Sequence, residues 1–217
     1  MNLALSITGL IGGILCAIAD TLLDIKGKDN IKCGFKKIID SNWEKMPAGR
    51  FVASIILAMF AIPMYSMGVI SLGNQIAIRN GSLGELLKLS IFIGAMGGFF
   101  IHSFLCVVPI IYKEILKENN FSLADKVIAA IFKAIKIPFG LLYLILMLAP
   151  TVIICIAIIM ELLCVPKWFV LLNPVIFQIV GLALRAIKKD WFYEVPSIFM
   201  ASLGLAMYGV IGIVNLV

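Results

Sequence analysis

Six long apolar runs dominate this chain, near residues 3–24, 51–72, 89–112, 138–163, 168–186 and 196–217. A helix needs about 20 apolar residues to cross a hydrocarbon core of about 30 Å, since each residue advances it by about 1.5 Å. Backbone polar groups in that core must be satisfied locally, so continuous runs of this length fold as helices, whereas barrel strands alternate. The runs predict an all-α fold, a polytopic transmembrane helix bundle of six spans, in a single integral membrane domain over residues 1–217. Composition agrees: 62% of residues are hydrophobic and 14% charged, against about 45–50% and about 25% in soluble domains. The first run has no Lys or Arg ahead of it and no small residue just before Cys16. It therefore reads as a span rather than a secretory signal.

Of the 18 Lys and Arg residues, 15 lie in or beside the first, third and fifth loops, at Lys26 to Arg50, Lys113 to Lys136 and Arg185 to Lys189. Only Arg79, Lys88 and Lys167 fall on the other side. The positive-inside rule predicts that these three loops are cytoplasmic and that both termini are outside, as in a plasma-membrane protein. The net charge of +6 then serves topology and contact with membrane lipids, including anionic lipids of the inner leaflet, at about 1 kcal/mol per cation near the surface. No nucleic-acid partner is needed to explain it, and the sequence does not set an oligomeric state. The five cysteines form no C-x-x-C pair and read as free, packed thiols.

Two loops carry helical periodicity. In the first, Ile31, Phe35, Ile38, Ile39, Trp43 and Met46 recur at helical spacing while Lys32, Lys36, Lys37 and Lys45 occupy the rest of the wheel. That pattern predicts an amphipathic helix lying in the interface. In the second cytoplasmic loop, Ser122-x-x-Asp125 resembles a capping box for another such helix, with Lys126, Lys133 and Lys136 opposite Leu123, Val127 and Ile131. Pro138 and Gly140 mark a bend into the fourth span.

The only histidine, His102, sits inside the run GGFFIHSFLC at residues 97–106. At 100° per residue, Gly94, Gly98, His102, Cys106 and Pro109 fall within an arc of about 120°, and Gly9, Gly13, Cys16, Asp20 and Asp24 within about 80°. Glycines four apart let membrane helices approach closely, so the first and third spans are expected to touch and to bury Asp20 and His102. Counting depth along each span puts His102 near the midplane and Asp20 about 10 Å nearer the cytoplasm. The two are therefore expected to be bridged by water or a ligand rather than bonded directly. Asp20 and Asp24 also occupy the last turns of a helix, where the macrodipole is already negative. Lys26, Lys28 and Arg50 are the cations placed to compensate them. Other polar residues at useful depth are Tyr65, Asn173, Gln178 and Tyr208, and Asn173-Pro174 is expected to kink the fifth span.

No H-E-x-x-H, G-x-S-x-G, P-loop or G-x-G-x-x-G motif occurs, and one histidine cannot build a multi-histidine metal site. No metal and no cofactor is predicted. Three functions stay open. The first is binding of a lipid or small amphiphile, with Asp20 and His102 as acid–base residues and Asp24, Arg50, Tyr65, Asn173, Gln178 and Tyr208 as ligand contacts. The second is proton-coupled transport of a small solute, and the third a structural or accessory role.

The motif Trp43-x-x-Met46-Pro47-x-x-Arg50-Phe51, with Ala19-Asp20, His102 and Asn173-Pro174, resembles an uncharacterised family of bacterial six-pass membrane proteins, a domain of unknown function. The resemblance covers nearly the whole chain and implies the topology without an activity. A more distant likeness, through Ala19-Asp20-Thr21-Leu22-Leu23 and Gly97-Gly98-Phe99-Phe100-Ile101-His102, is to membrane lysoplasmalogenases. It implies acid–base chemistry on a lipid, although here a whole span separates the two motifs and that family has more helices.

Overall fold

The computed structural model describes residues 1–187 and 195–217, so Lys188 and Lys189 of the fifth loop lie outside the described residues. The fold is nearly all helical. Helix α1 covers Asn2–Asp24, α2 Ala48–Ala77 and α3 Gly81–Lys117. Helix α4, Phe121–Leu142, passes through a π-helical turn at Tyr143–Leu148 into α5, Ala149–Ile159. Helices α6, Pro174–Ile187, and α7, Val195–Val214, follow. Helices α1, α2, α3 and the continuous Phe121–Ile159 unit are long and apolar enough to cross a membrane, and two shorter apolar helices accompany them.

Helix α1 shows how sequence sets the packing. Ile7, Ile11, Ile14 and Ile18 recur every three to four residues on its exposed face, while Ser6, Gly9, Gly13, Cys16 and Asp20 form the buried one. The glycines do mark close helix contacts, but not the expected one. A Cβ at Gly9 would strike the Gly68 backbone of α2, and one at Gly13 would strike Ala206 of α7. On α3, Gly94 and Gly98 instead receive Leu146 of the π-helical turn. Thus α1 packs on α2 and α7, and α3 on α2 and α4, with no packed seam between α1 and α3. A small-residue stripe reports close approach and carries no information on which helix approaches.

The first loop is not a helix. Two short antiparallel strands, β1 (Lys32–Cys33) and β2 (Ile39–Asp40), form a hairpin followed by a 3₁₀ turn at Ser41–Trp43. Left-handed backbone at Gly27 (φ 93°), Gly34 (φ 81°) and Lys37 (φ 51°) breaks the helical path. Of the apolar set that suggested a helix, Ile39, Trp43 and Met46 are buried, and Ile31 and Phe35 are exposed. Trp43 packs edge to face on Tyr112 at 5.7 Å.

The motif around Trp43 is a joint between α1 and α2. Pro47 stands just ahead of α2, and the Met46 carbonyl accepts from Lys113 of α3. Arg50 donates to the Leu22, Thr21 and Ile25 carbonyls at the end of α1. A guanidinium there bonds the last carbonyls of the helix, Thr21 also accepting from the Ile25 amide, and opposes its dipole.

The second amphipathic segment is a helix, continuous with the next span rather than lying apart from it. Asn120, not Ser122, caps α4, accepting from the Leu123 amide at 3.0 Å. Asp125 is occupied elsewhere, accepting from the Phe35 amide of the hairpin at 2.9 Å. Pro138 lies within the helix, and the break in regular geometry comes at the π-helical turn just before Pro150, whose ring cannot donate to the preceding turn. Asn173-Pro174 likewise begins a helix instead of kinking one. Asn173 accepts from the Ile176 amide at 3.0 Å and donates to the Val170 carbonyl at 2.7 Å, with Pro174 first in α6. This is the usual arrangement of a cap followed by proline.

Candidate functional site

Cys16, Asp20, Leu23 and Asp24 share one face of α1, and that face lines a cavity of about 560 Å³. Such a volume is within the range of small-molecule sites, about 300–1,000 Å³. Gly98, Ile101, His102 and Leu105 give the wall from α3, again at helical spacing. Phe132, Phe139, Leu142, Leu146 and Met147 form an apolar wall from α4 and the π-helical turn. Ser202 and Leu205 come from α7, and Ile62 and Tyr65 from α2. The end near the hairpin is charged, with Lys26, Lys32, Lys37, Asp40 and Trp43 around it. The cavity thus has a polar mouth, a titratable middle and an apolar inner end.

Asp20 and His102 meet directly across this cavity, with His102 Nδ1 3.4 Å from Asp20 Oδ1. The expected 10 Å offset fails because the helices do not end in one plane. Helix α3 is 37 residues long and runs past the end of α1, reaching the Met46 carbonyl with Lys113. His102 is therefore level with the last turns of α1.

The hydrogen bonds assign the donor at one ring nitrogen of His102. Ser54 Oγ donates to the Ala19 carbonyl at 2.7 Å and lies 2.9 Å from His102 Nε2. A hydroxyl has one proton to give, so Ser54 accepts from Nε2–H. Nδ1 of a neutral imidazole would then turn a lone pair towards the Asp20 carboxylate. An attractive contact requires one proton between them, either as imidazolium and carboxylate or as imidazole and carboxylic acid. The second Asp20 oxygen accepts from Ser202 Oγ at 2.5 Å. Asp20 and His102 are thus positioned at the cavity wall by Ser202 on one side and Ser54 on the other.

Ser54, His102 and Asp20 occur in the order of a nucleophile, base and acid, yet Ser54 is not placed as a nucleophile. It is fully buried, does not line the cavity and gives its proton to a backbone carbonyl. Its role is to position the imidazole. Neither Ser54 nor Ser202 was singled out by sequence reasoning, since a serine inside an apolar helix carries no distinguishing signal. Among the described residues, no group of three metal-ligating side chains converges.

Compared with known protein families, the chain matches over residues 1–217 the model described as "Family of unknown function (DUF6796)". The chain belongs to this family. No curated protein and no solved structure matches it.

In this member of DUF6796, the residues singled out by sequence fall into two groups. Asp20, His102, Asp24 and Tyr65 line one cavity. Asp24 is paired with Lys26 at 3.0 Å. Tyr65 reaches the inner end, where Gly98 leaves space: a Cβ there would stand 3.3 Å from the Tyr65 hydroxyl. Arg50, Asn173, Gln178 and Tyr208 are elsewhere. Arg50 caps α1 and Asn173 caps α6, as described above, while Gln178 accepts from Tyr143 at 2.6 Å and Tyr208 is 2.8 Å from Thr151.

Proposed function

We propose that this protein holds one lipid-like amphiphile in the cavity, polar end towards the lysine-lined mouth, and that Asp20 and His102 bind it and exchange a proton with it. The supporting observation is the 3.4 Å approach of His102 to Asp20 at the wall of a cavity that is charged at one end and apolar at the other. A group held between two proton positions can act as acid or base towards a bound molecule. In this proposal the chain crosses a bacterial plasma membrane six times, with the lysine-rich end facing the cytoplasm and both termini outside. The polar mouth then lies at headgroup level of the inner leaflet.

Proton-coupled transport would need further titratable steps towards the other end of the bundle. There, Ser6, Ser71 and Gln75 hydrogen-bond one another, with Gln75 also reaching the Gly212 carbonyl, and this network ties α1, α2 and α7 together. It is a structural clasp, so binding is the function that the polar groups support best.

The test is lipid and metabolite mass spectrometry on protein purified in mild detergent, beside His102→Ala and Asp20→Asn. A species enriched with the parent and lost from both folded variants supports binding. Bulk membrane lipid alone in all three samples removes the proposal.

A further inference from the structure

We infer that the mouth of this cavity recognises an anionic headgroup, a phosphate or a carboxylate, with Lys37 as its principal cationic contact. The inference rests on the amphiphile proposal above and specifies the chemical class of the ligand. Three lysines and two aspartates line the mouth. Lys26 pairs with Asp24 at 3.0 Å and with Asp40 at 3.5 Å, and Lys32 pairs with Asp40 at 2.7 Å. Lys37 forms no ion pair among the described residues. Deeper in, the Asp20 and His102 contact sums to zero charge both as carboxylate with imidazolium and as carboxylic acid with imidazole. The cavity therefore carries more positive than negative charge, and the excess sits at Lys37.

The position of Lys37 is built by the chain. Its backbone is left-handed, with φ 51°, uncommon for a residue other than glycine. Its amide closes a turn onto the Gly34 carbonyl at 3.1 Å. That turn is pinned to α4 by the bond from the Phe35 amide to Asp125. A second feature of the mouth points the same way. Trp43 is buried there, and its indole N–H has no hydrogen-bond partner among the described residues. A buried donor without an acceptor is unusual in a folded protein, and it adds an unmet N–H to the lysines in the wall of the mouth. Beyond the mouth, Phe132, Phe139, Leu142 and Leu146 offer apolar wall, which suits an alkyl chain attached to that head.

The experiment uses the 217-residue chain in nanodiscs of zwitterionic lipid, titrated with dodecyl phosphate, dodecylphosphocholine and inorganic phosphate and read by native mass spectrometry. The expected result is that dodecyl phosphate binds at least tenfold more tightly than either other probe. Lys37→Gln should weaken dodecyl phosphate about fivefold, leave dodecylphosphocholine unchanged and be rescued by Lys37→Arg. Equal binding of the two amphiphiles, or a preference unchanged in Lys37→Gln, overturns the headgroup assignment while leaving the cavity as an amphiphile site. Inorganic phosphate binding as tightly as dodecyl phosphate makes this an anion site without a lipid and also overturns it. Failure of all three probes removes both this inference and the proposal beneath it.

Discussion

Ser54 Oγ and His102 Nε2 lie 2.9 Å apart, with Ser54 on the opposite edge of the imidazole from Asp20. The serine proton is committed to the Ala19 carbonyl, so the serine orients the ring and leaves the Nδ1 edge to Asp20. Ser54→Ala should strand the Nε2 donor and cost about 1–3 kcal/mol, the usual penalty for a buried group left without its partner. A fluorophosphonate probe, which labels activated serines, should leave the parent protein unmodified. Labelling at Ser54, found by peptide mass spectrometry, would make it a nucleophile and reverse this assignment.

Removing one partner of the Asp20 and His102 pair should be costly in stability as well. Uncompensated buried charges cost about 3–5 kcal/mol. A double variant, Asp20→Asn with His102→Ala, removes both charges and should recover part of the loss. Thermal unfolding of the four proteins in one detergent measures the coupling, and additive losses would show that the two side chains do not interact.

The glycine contacts give sharper expectations. A Cβ at Gly9 would collide with backbone of Gly68, which cannot move aside as a flexible side chain can. Gly9→Ala should therefore destabilise the protein by about 2–3 kcal/mol. Gly140 is helical with open space where its Cβ would lie, and Gly140→Ala should be neutral or stabilise by up to about 1 kcal/mol. Equal melting temperatures for the two variants would contradict the α1 to α2 seam.

How far the sequence revealed this arrangement depends on whether the determining physics is local. Hydropathy is local, so the apolar runs located the helices, and the buried face of α1 followed from its periodicity. The shared pocket of Asp20 and His102 was expected, but their direct contact was not legible, because it depends on how far α3 projects beyond α1. The first-loop hairpin was hidden by apolar spacing that fits a helix, and the left-handed positions at Gly27, Gly34 and Lys37 decided against it. Ser54 was invisible for a different reason. Hydroxyls in apolar helices commonly bond the carbonyl four residues back, as Ser66 does to Ile62 and Thr151 to Met147. Only the three-dimensional structure shows that Ser54 bonds across to α1 instead.

Asn173 offers a local test with a spatially restricted readout. Its side chain holds the Ile176 amide at 3.0 Å and the Val170 carbonyl at 2.7 Å. Asn173→Ala should lose about 1 kcal/mol of capping. Hydrogen exchange should quicken over the first turn of α6 and leave α1 unchanged. Unaltered exchange at Ile176 would show that the cap contributes nothing.

The foot of the hairpin should loosen in acid. Asp29 accepts from Asn42 at 2.7 Å and Lys45 at 3.2 Å, and these bonds hold its carboxyl below the usual carboxylate range, Asn42 being the larger cause. A depressed carboxyl stabilises the folded loop fully above its unfolded value of about 3.9, and that contribution is lost as pH falls through the lower folded value. Trp43 packs within this loop, so its fluorescence in a Trp168→Phe, Trp191→Phe background should change on acidification below about pH 4. Asp29→Asn removes the titrating group and should flatten that change, and an identical acid transition in the variant would assign it to another carboxylate.

Asp125 joins the hairpin to α4, and through it the mouth of the cavity to its apolar wall. The Phe35 amide donates to Asp125 Oδ2 at 2.9 Å, and Gly34 packs against the same carboxylate. With a side chain at residue 34, the carboxylate would be displaced, so Gly34 serves close approach as well as its positive φ. Asp125→Ala should free the turn that holds Lys37 without disturbing the helix, because the cap of α4 is Asn120. The expected outcome is faster hydrogen exchange at Phe35 and Lys37, unchanged exchange along α4, and less than about 1 kcal/mol lost from global stability, as for other partly exposed polar contacts. If exchange in the turn is unchanged, the turn is held by its own backbone and Asp125 contributes only charge. If α4 itself loosens, Asp125 supports the first turn of that helix in addition to the hairpin.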